Sequence, residues 1–442
     1  MAPSKSPDVT AIRGDLLYCT EDPAVAGPGR ALEHVPDGLV VSQGGVITAL
    51  GPAADLLATL PPGSPVAHYP GCLVAPGFVD AHVHYAQTEM IGTFGAQLLE
   101  WLNKTTFPAE QAFAERAHAD AVARVFVEEL LRNGTTSALV FCATYPASVD
   151  ALFEAAQAEN LRLIAGKTWM DRNAPAPLLD TAQKAYDDSK ALIARWHGKG
   201  RALYAITPRF APTSSPEQLE AAGALRREHP DTWLHTHVSE NPQEVAWVQE
   251  LFPERAGYLD VYDHYGLLGR RAVLAHGIYL KEKELTRCHE TGTALAHCPT
   301  SNLFLGSGLF DVAVARDRRR PVKLGLGTDV GAGTSFSLLR TLDEACKVAQ
   351  LRGRPLHPVL GFYLATLGGA RALALDDRVG TLRVGHEADF VVLDPAATPL
   401  LALRAARAQS IVDVLFALIT LGDDRAVRAT WVAGRLAHER AT

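Results

Sequence analysis

Long hydrophobic runs are absent from this chain, and their absence excludes a membrane-spanning helix. The longest apolar stretches, such as residues 414–421, are far shorter than the ~20 residues that a bilayer crossing needs. Residues 1–10 also lack the apolar core of a signal peptide. Because 48% of the 442 residues are nevertheless hydrophobic, the chain can bury a large core. We therefore expect a soluble globular protein of the cytoplasm.

Cysteine is scarce, and positive charge is not in excess. The six cysteines show no C-x-x-C spacing, which indicates reduced, mostly structural thiols. A net charge of −7 argues against a general nucleic-acid surface. The basic run at residues 318–320 is interpreted as the solvated end of a helix. We expect neither a nucleic acid nor a membrane as a partner.

The chain does contain eight short apolar segments separated by helical patterns. They occupy residues 72–80, 136–143, 161–168, 202–207, 231–237, 271–276, 292–297 and 322–328. Strands that alternate with helices form parallel sheets, so eight such units predict a closed (β/α)8 barrel of the TIM type. One helical stretch opens with Ser215-Pro216-Glu217, an N-cap followed by a proline in the first turn.

The two ends of the chain follow a different pattern. Short β-type runs alternate with turns rich in glycine and proline at residues 8–70, 385–394 and 428–437. We predict that residues 1–71 and 381–442 pair into one small β-sandwich domain, and that residues 72–380 form the barrel of an α/β fold. Residues 22–37 are predicted to be a long loop, because they carry proline and glycine.

A pair of histidines closes the first apolar segment. His82 and His84 stand two residues apart, and residues i and i+2 of a strand point to the same face, so both imidazoles can converge on one metal ion. The pair alone is weak support for a metal site, because the same spacing also occurs by chance on strand ends. Whether the pair belongs to a metal site depends on the other polar residues of the chain.

Further polar residues close other apolar segments. These residues are His237 with Glu240, His276, and Asp329. Catalytic groups of a parallel barrel sit at the C-terminal ends of its strands, so we expect all of them to share one site with the histidine pair. His235 lies on the same predicted strand face as His237, and spacing alone does not choose between them.

These residues belong to longer motifs that resemble the amidohydrolase superfamily over nearly the whole chain. The motifs are Pro76-Gly77-Phe78-Val79-Asp80-Ala81-His82-Val83-His84, His237 with Glu240, Ala275-His276-Gly277, Gly327-Thr328-Asp329 and Gly385-His386-Glu387-Ala388-Asp389-Phe390. A second set is more specific and resembles the guanine deaminase family within that superfamily. It comprises Tyr85-Ala86-Gln87-Thr88, Leu99-Glu100-Trp101-Leu102-Asn103, Thr207-Pro208-Arg209-Phe210 and Cys298-Pro299-Thr300-Ser301-Asn302.

The resemblance implies a metal ligand set of His82, His84, His237 and Asp329. Three neutral imidazoles and one carboxylate fit one Zn²⁺ per subunit, with Fe²⁺ as the alternative metal. A second metal is not expected, because the fourth segment ends in Pro208-Arg209, where bridged two-metal members of the superfamily carry a lysine.

The resemblance also implies the catalytic roles. Release of an amine from an aromatic ring carbon requires protonation of the ring and of the departing nitrogen, and we assign this proton transfer to Glu240. His276 and Asp329 are predicted to orient the attacking hydroxide, His276 either as an additional ligand or from outside the ligand set.

The implied substrate is guanine, hydrolysed to xanthine and ammonia. Arg209 and Gln87 can read the polar edges of a purine, Trp101 and Phe210 can cover its faces, and His237 is assigned to substrate binding as well. In isolation each of these residues has a simpler interpretation, namely a salt bridge, a turn hydrogen bond or core packing. The family resemblance further implies a homodimer.

Two other classes of function remain open at this stage. A related hydrolase acting on an oxidised guanine, another aminopurine, a pterin or a triazine would share the metal ligands and differ at Gln87 and Arg209. A non-catalytic interaction protein built on the same barrel should have lost ligands, and none is missing. The zinc cytidine deaminases need H-x-E with P-C-x-x-C, which this chain lacks.

Overall fold

The computed structural model describes residues 9–94 and 97–441, so residues 1–8 of the predicted small domain lie outside the described residues. The described strands, in chain order, are β1 (Val9–Cys19), β2 (Leu32–Gln43), β3 (Val46–Pro52), β4 (Val66–Pro76), β5 (Phe78–His84), β6 (Thr135–Phe141), β7 (Arg162–Gly166), β8 (Thr168–Trp169), β9 (Leu203–Pro208), β10 (Trp233–Val238), β11 (Ala272–His276), β12 (Ala294–His297), β13 (Lys323–Leu326), β14 (Phe390–Leu393), β15 (Val427–Val432) and β16 (Arg435–Glu439).

The described helices, in chain order, are α1 (Pro23–Ala26), α2 (Pro28–Ala31), α3 (Ala53–Leu56), α4 (Leu98–Trp101), α5 (Phe107–Gln111), α6 (Arg116–Arg132), α7 (Pro146–Ala158), α8 (Ala182–Trp196), α9 (Pro216–Glu228), α10 (Pro242–Leu251), α11 (Tyr258–His264), α12 (Glu282–Thr291), α13 (Pro299–Phe304), α14 (Val312–Ala315), α15 (Leu338–Leu351), α16 (Pro358–Ala365), α17 (Leu367–Ala372), α18 (Pro399–Ala405) and α19 (Ile411–Leu421). Helix α9 begins as its sequence predicts, since the Ser215 hydroxyl accepts a hydrogen bond from the backbone N–H of Gln218.

Eight parallel strands form the barrel, in the order β5-β6-β7-β9-β10-β11-β12-β13. The segment after β13 returns to β5, where the backbone N–H of Asp329 donates to the carbonyl oxygen of His82 (2.9 Å) and that of His84 donates to Val330 (3.0 Å). These bonds join the last strand region to the first. The predicted barrel is confirmed, and the C-terminal ends of its strands converge on the predicted site.

The first predicted barrel segment, residues 72–80, combines the end of one strand with the start of another. Residues 72–76 belong to β4 of the terminal sheet, and the barrel strand β5 starts at Phe78. The two strands meet at Gly77, where an added Cβ would lie 2.1 Å from the Oγ1 of Thr136, so only glycine fits this close approach. The apolar run hides the change of sheet because both strands are buried.

The chain ends form one seven-stranded sheet, in the order β16-β15-β14-β4-β1-β2-β3. Strands β1 and β4 are parallel, and the other pairs are antiparallel. The predicted pairing of the two termini is confirmed. The domain limits at residues 71 and 381 stay a prediction, and β4 runs across the first of them.

The predicted loop at residues 22–37 is wrong over most of its length, because residues 23–26 and 28–31 form the short helices α1 and α2. Residues 32–37 belong to strand β2, and residues 32–35 pair with β1. The strand tolerates Pro36 because the pairing register shifts there, opposite Asp15, and Asp37 adopts a positive φ of 46°. A bulge of this kind accommodates a proline that an uninterrupted ladder would not.

An ionic cluster connects the barrel to the terminal sheet at the end opposite the site. Glu387 accepts hydrogen bonds from the Nε of Arg162 (2.7 Å) and the Nη2 of Arg201 (2.6 Å). Both arginines lie at the N-terminal ends of barrel strands, and Arg201 also pairs with Asp389. Burial opposes the ionisation of Glu387, but the bonds from Arg162 and the charge of Arg201 outweigh it and lower its pKa.

Replacing Glu387 by glutamine should lower the free energy of unfolding at neutral pH by about 2 kcal/mol. Because the folded-state pKa lies below the unfolded value, the contribution of Glu387 is complete above the unfolded pKa of ~4.3 and disappears as pH falls through the folded pKa. Urea denaturation of both proteins between about pH 7 and about pH 3 should therefore show the deficit shrinking in acid. A deficit that stays equal across this range would assign the effect to packing instead.

Two composition-based expectations can be compared with the described residues. No helix in residues 9–94 or 97–441 is long and apolar enough to cross a membrane. All six cysteines are buried and free of disulfide bonds, as the expectation of reduced structural thiols requires.

Candidate metal centre and active-site cleft

Four of the predicted ligands come together at the C-terminal end of the barrel. The Nε2 of His84 lies 3.1 Å from the Nε2 of His82, 3.2 Å from the Nε2 of His237 and 3.3 Å from the Oδ1 of Asp329. All four ligand atoms lie within 4.8 Å of one another. Three nitrogens and one carboxylate oxygen so disposed can hold a divalent metal ion.

The protonation of the cluster suits metal binding. Burial lowers the pKa of His84 to about 3 and places that of His237 well below its ordinary value, so both imidazoles are neutral and able to donate lone pairs. Burial opposes the ionisation of Asp329, but the neighbouring His82 outweighs it and lowers the pKa of the carboxyl. Neutral imidazoles and an ionised carboxyl group are the forms that bind a cation.

Three residues at the strand ends have a strained backbone. Ser239, His276 and Asp329 have φ values of 48°, 71° and 51°, in the left-handed region that non-glycine residues rarely adopt. Each costs roughly 1–3 kcal/mol, and such strain concentrates at functional sites. At this rim the strain accompanies the turning of His276 and Asp329 into the site.

His235 lies behind the cluster. Its Nε2 is 2.6 Å from the Nδ1 of His82, the ring nitrogen that faces away from the other ligands. The predicted shared strand face of His235 and His237 is therefore real, but the two imidazoles reach different places. His237 joins the four-residue group, and its Nδ1 donates to the backbone carbonyl of Arg209 at 2.6 Å.

Glu240 stands beside the cluster. Its Oε2 is 3.4 Å from the Nε2 of His276, and its Oε1 accepts a hydrogen bond from the hydroxyl of Ser307 at 3.1 Å. Burial, reinforced by the charge of Asp329, raises the pKa of Glu240 to about 8. A carboxyl group with this pKa can both give and take a proton near neutral pH.

His276 lies outside the four-residue group but next to it. Its Nε2 is 3.7 Å from the Oδ2 of Asp329, and its Nδ1 is 2.9 Å from the Oδ1 of Asn302. The amide oxygen can accept a hydrogen bond from Nδ1, while Nε2 is directed at Asp329 and Glu240. His276, Asp329 and the thiol of Cys298 form a second close group.

The remaining predicted residues line a cleft over the cluster. The cleft contains about 410 Å³ of empty space, and its lining includes Gln87, Trp101, Arg209 and Phe210 together with Glu240, His276 and three of the four cluster residues. Gln87 lies on a 3₁₀ turn (Tyr85–Met90) directly after β5, and Arg209 directly follows β9. The structure thus brings all the predicted substrate-binding residues to one cleft.

Three polar residues that hydrogen-bond to Arg209, Gln87 or Glu240 were not predicted. Glu110 accepts hydrogen bonds from Arg209 and Gln87, Ser307 donates to Glu240, and Glu244 accepts from the backbone N–H groups of Glu240 (2.8 Å) and Asn241 (3.1 Å). Only Glu244 had a recognisable signal, because Asn241 followed by Glu244 has the spacing of a capping box.

Comparison with known proteins agrees with this geometry. The sequence model that describes the amidohydrolase family matches residues 73–437 of this chain. The chain therefore belongs to the amidohydrolase family.

Particular relatives narrow the comparison. The guanine deaminase of Escherichia coli (strain K12) is 53% identical over 433 residues, which cover 97% of this chain and 98% of the relative. The solved structure of E. coli guanine deaminase matches with a TM-score of 0.94 at 51% identity, covering 98% of this chain and 99% of that one.

Two more distant solved structures also match. Guanine deaminase from C. acetobutylicum with bound guanine has a TM-score of 0.86 at 26% identity, covering 97% of this chain and 99% of that one. An adenosine deaminase from Xanthomonas campestris with bound zinc has a TM-score of 0.84 at 25% identity, with 97% and 92% covered.

Proposed function

We propose that this chain hydrolyses guanine to xanthine and ammonia. The observation that carries the proposal is the cleft, in which Arg209 and Gln87 face the same space as the metal cluster and Glu240. The high identity to E. coli guanine deaminase over nearly the full length supports it, as does the similar structure that holds guanine.

The metal is proposed to be one Zn²⁺ per chain, held by His82, His84, His237 and Asp329. The buried neutral imidazoles and the carboxylate fit this ion, with Fe²⁺ as the alternative, and the similar adenosine deaminase contains zinc. When bound there, such an ion lowers the pKa of a water molecule toward ~7 and makes a nucleophile available at neutral pH.

A residue beside the cluster then transfers the protons of the reaction. Hydrolysis joins the water oxygen to C2 of guanine and breaks the bond from C2 to the exocyclic nitrogen, which departs as ammonia. Glu240 takes a proton from the water and delivers it to the ring nitrogen next to C2, and a second transfer protonates the departing amine. A pKa of about 8 suits a group that alternates between acid and base.

His276 and Asp329 are proposed to orient the attacking oxygen. The hydrogen bond to Asn302 fixes the ring of His276, and the positive φ of both residues holds their side chains toward Glu240. Trp101 and Phe210 would cover the faces of the purine, while Arg209 and Gln87 bind its polar edges. A homodimer is proposed from the family resemblance, and a location in the cytoplasm from the hydrophobic patterning of the sequence.

Ammonia release from a panel of ring compounds tests the proposal. The zinc-loaded protein should act on guanine far better than on adenine, an oxidised guanine, a pterin or a triazine. A protein that prefers one of the other compounds would belong to a neighbouring specificity, and a protein that releases ammonia from none of them would overturn the enzymatic proposal.

Replacing Arg209 by alanine should lower kcat/KM for guanine by roughly 10²-fold, because charged hydrogen bonds to the substrate are lost. Adenine carries hydrogen at C2 and its amino group at C6, so it can lose ammonia only in a turned orientation that brings C6 to the reaction centre and offers Arg209 no O6 acceptor. It therefore gains little from Arg209, and the ratio of kcat/KM for guanine to that for adenine should narrow. Steady-state kinetics with both purines measure this.

Arg162→Ala is the matched control, since Arg162 is equally buried, pairs with a glutamate and lies at the opposite end of the barrel. Arg162→Ala should lower the free energy of unfolding and leave the ratio of kcat/KM for guanine to that for adenine unchanged. If Arg209→Ala behaves like this control, Arg209 is not a recognition residue.

A further inference from the structure

Glu110 lies behind the wall of the cleft and contacts two of its recognition residues. Its side chain is 1% exposed, and it is located on α5, beyond the residues that line the cleft. The Nη1 of Arg209 lies 2.9 Å and 2.8 Å from its two oxygens, and the Nε2 of Gln87 lies 3.1 Å from Oε1. One carboxylate therefore joins residues that follow two different barrel strands.

The contact determines what Arg209 offers to a ligand. A guanidinium has five N–H donors in a rigid plane, and Glu110 engages Nη1, so the plane is fixed with its other nitrogens free for other partners. Glu110 also neutralises a cation that is 3% exposed and would otherwise be costly to bury. The ring of Phe107, one helical turn before Glu110, lies 5.5 Å from the guanidinium carbon.

The same carboxylate determines which way the amide of Gln87 points. Its Nε2 donates to Glu110, and its Oε1 accepts from the backbone N–H of Gly331 at 3.3 Å. A flipped amide would place its oxygen against the carboxylate and its NH₂ group against a backbone donor, so both contacts would become repulsive. Glu110 thus selects one donor and acceptor pattern for Gln87.

We propose that Glu110 is a positioning residue that sets the base specificity of the site through Arg209 and Gln87. The inference rests on the proposed function, because it concerns how that site distinguishes purines. Glu110 acts without touching the substrate, by presenting the hydrogen-bonding groups of both residues in a single arrangement. The preference for a base with an acceptor at position 6 then depends partly on Glu110, a residue of helix α5 that does not line the cleft.

The main test is Glu110→Gln, which keeps the size of the side chain and removes its charge. We expect KM for guanine to rise roughly 10–100-fold with a smaller change in kcat, because the recognition groups contact ground state and transition state alike. The guanine to adenine ratio of kcat/KM should narrow. In an Arg209→Ala background the same substitution should have a smaller effect on that ratio, since only the contact of Glu110 with Gln87 remains.

Controls separate positioning from general damage. Glu387→Gln removes an equally paired glutamate at the other end of the barrel and should leave KM and the base ratio unchanged. Glu110→Asp keeps the charge and should restore part of the base preference that Glu110→Gln loses. Glu110→Asp also tests the proposal if Glu110→Gln does not fold. The ratio of kcat/KM for guanine to that for adenine in Glu110→Asp must then fall between the ratios of wild type and Arg209→Ala.

Two results would overturn the inference. One is a folded Glu110→Gln or Glu110→Asp protein with wild-type KM and base ratio. The other is an equal loss of the base ratio in the wild-type and Arg209→Ala backgrounds, which would show that Glu110 acts independently of Arg209. Wild-type protein in the same assay distinguishes failure of the proposed function from failure of the Glu110 proposal. If the wild-type protein is inactive toward guanine, the proposed function is contradicted, not the role of Glu110.

Discussion

Replacing Glu240 by glutamine should lower kcat by about 10²–10⁴ while the protein keeps its metal. Glutamine preserves the shape of the side chain and can still accept the hydrogen bond from Ser307, but it cannot carry a proton. Glu240 is not among the four residues that form the candidate metal site, so metal content should stay at the wild-type level. Steady-state kinetics with guanine, paired with metal analysis of the same preparation, measure both quantities.

The split between kinetic constants decides the role of Glu240. A loss confined to KM would assign it to substrate binding, and a loss of metal together with activity would place it among the ligands. The variant should keep its local fold, because the hydrogen bonds from the backbone of Glu240 and Asn241 to Glu244 do not involve the substituted side chain.

Removing the metal should abolish turnover completely. A chelator strong enough to strip the cluster should reduce ammonia release from guanine to the uncatalysed level, and stoichiometric Zn²⁺ should restore it. Asp329→Ala should lower metal occupancy, because it deletes the only carboxylate of the four-residue group. An active preparation without bound metal, or an Asp329→Ala protein with full occupancy and full activity, would refute the metal assignment.

The barrel and the core of the site could be predicted because the signals are local. Each buried strand reads as a short apolar run, and several of the runs end in a polar residue of the candidate site, as with His276 and Asp329. Spacing also predicted that His235 and His237 share a face. Spacing could not show that His235 contacts the far nitrogen of His82, because that depends on the distance between two strands.

The parts that escaped prediction depend on contacts between distant segments. Glu110 is a single acidic residue on a five-residue helix, and nothing in its local pattern distinguishes it from a solvated helix residue. Its importance arises only when the strand ends carrying Gln87 and Arg209 are placed next to it. The switch of sheet at Gly77 was hidden for a similar reason, since both strands there are buried and apolar.

The closure of the barrel has a consequence for how the protein matures. The hydrogen bonds that join Asp329 and Val330 to the first strand unite segments from nearly opposite ends of the barrel sequence. A chain that has assembled only β5 to β12 can gather His82, His84 and His237, but it still lacks Asp329. The four-residue group is therefore completed by the same event that completes the barrel, and a chain synthesised only as far as β12 lacks one of its four members.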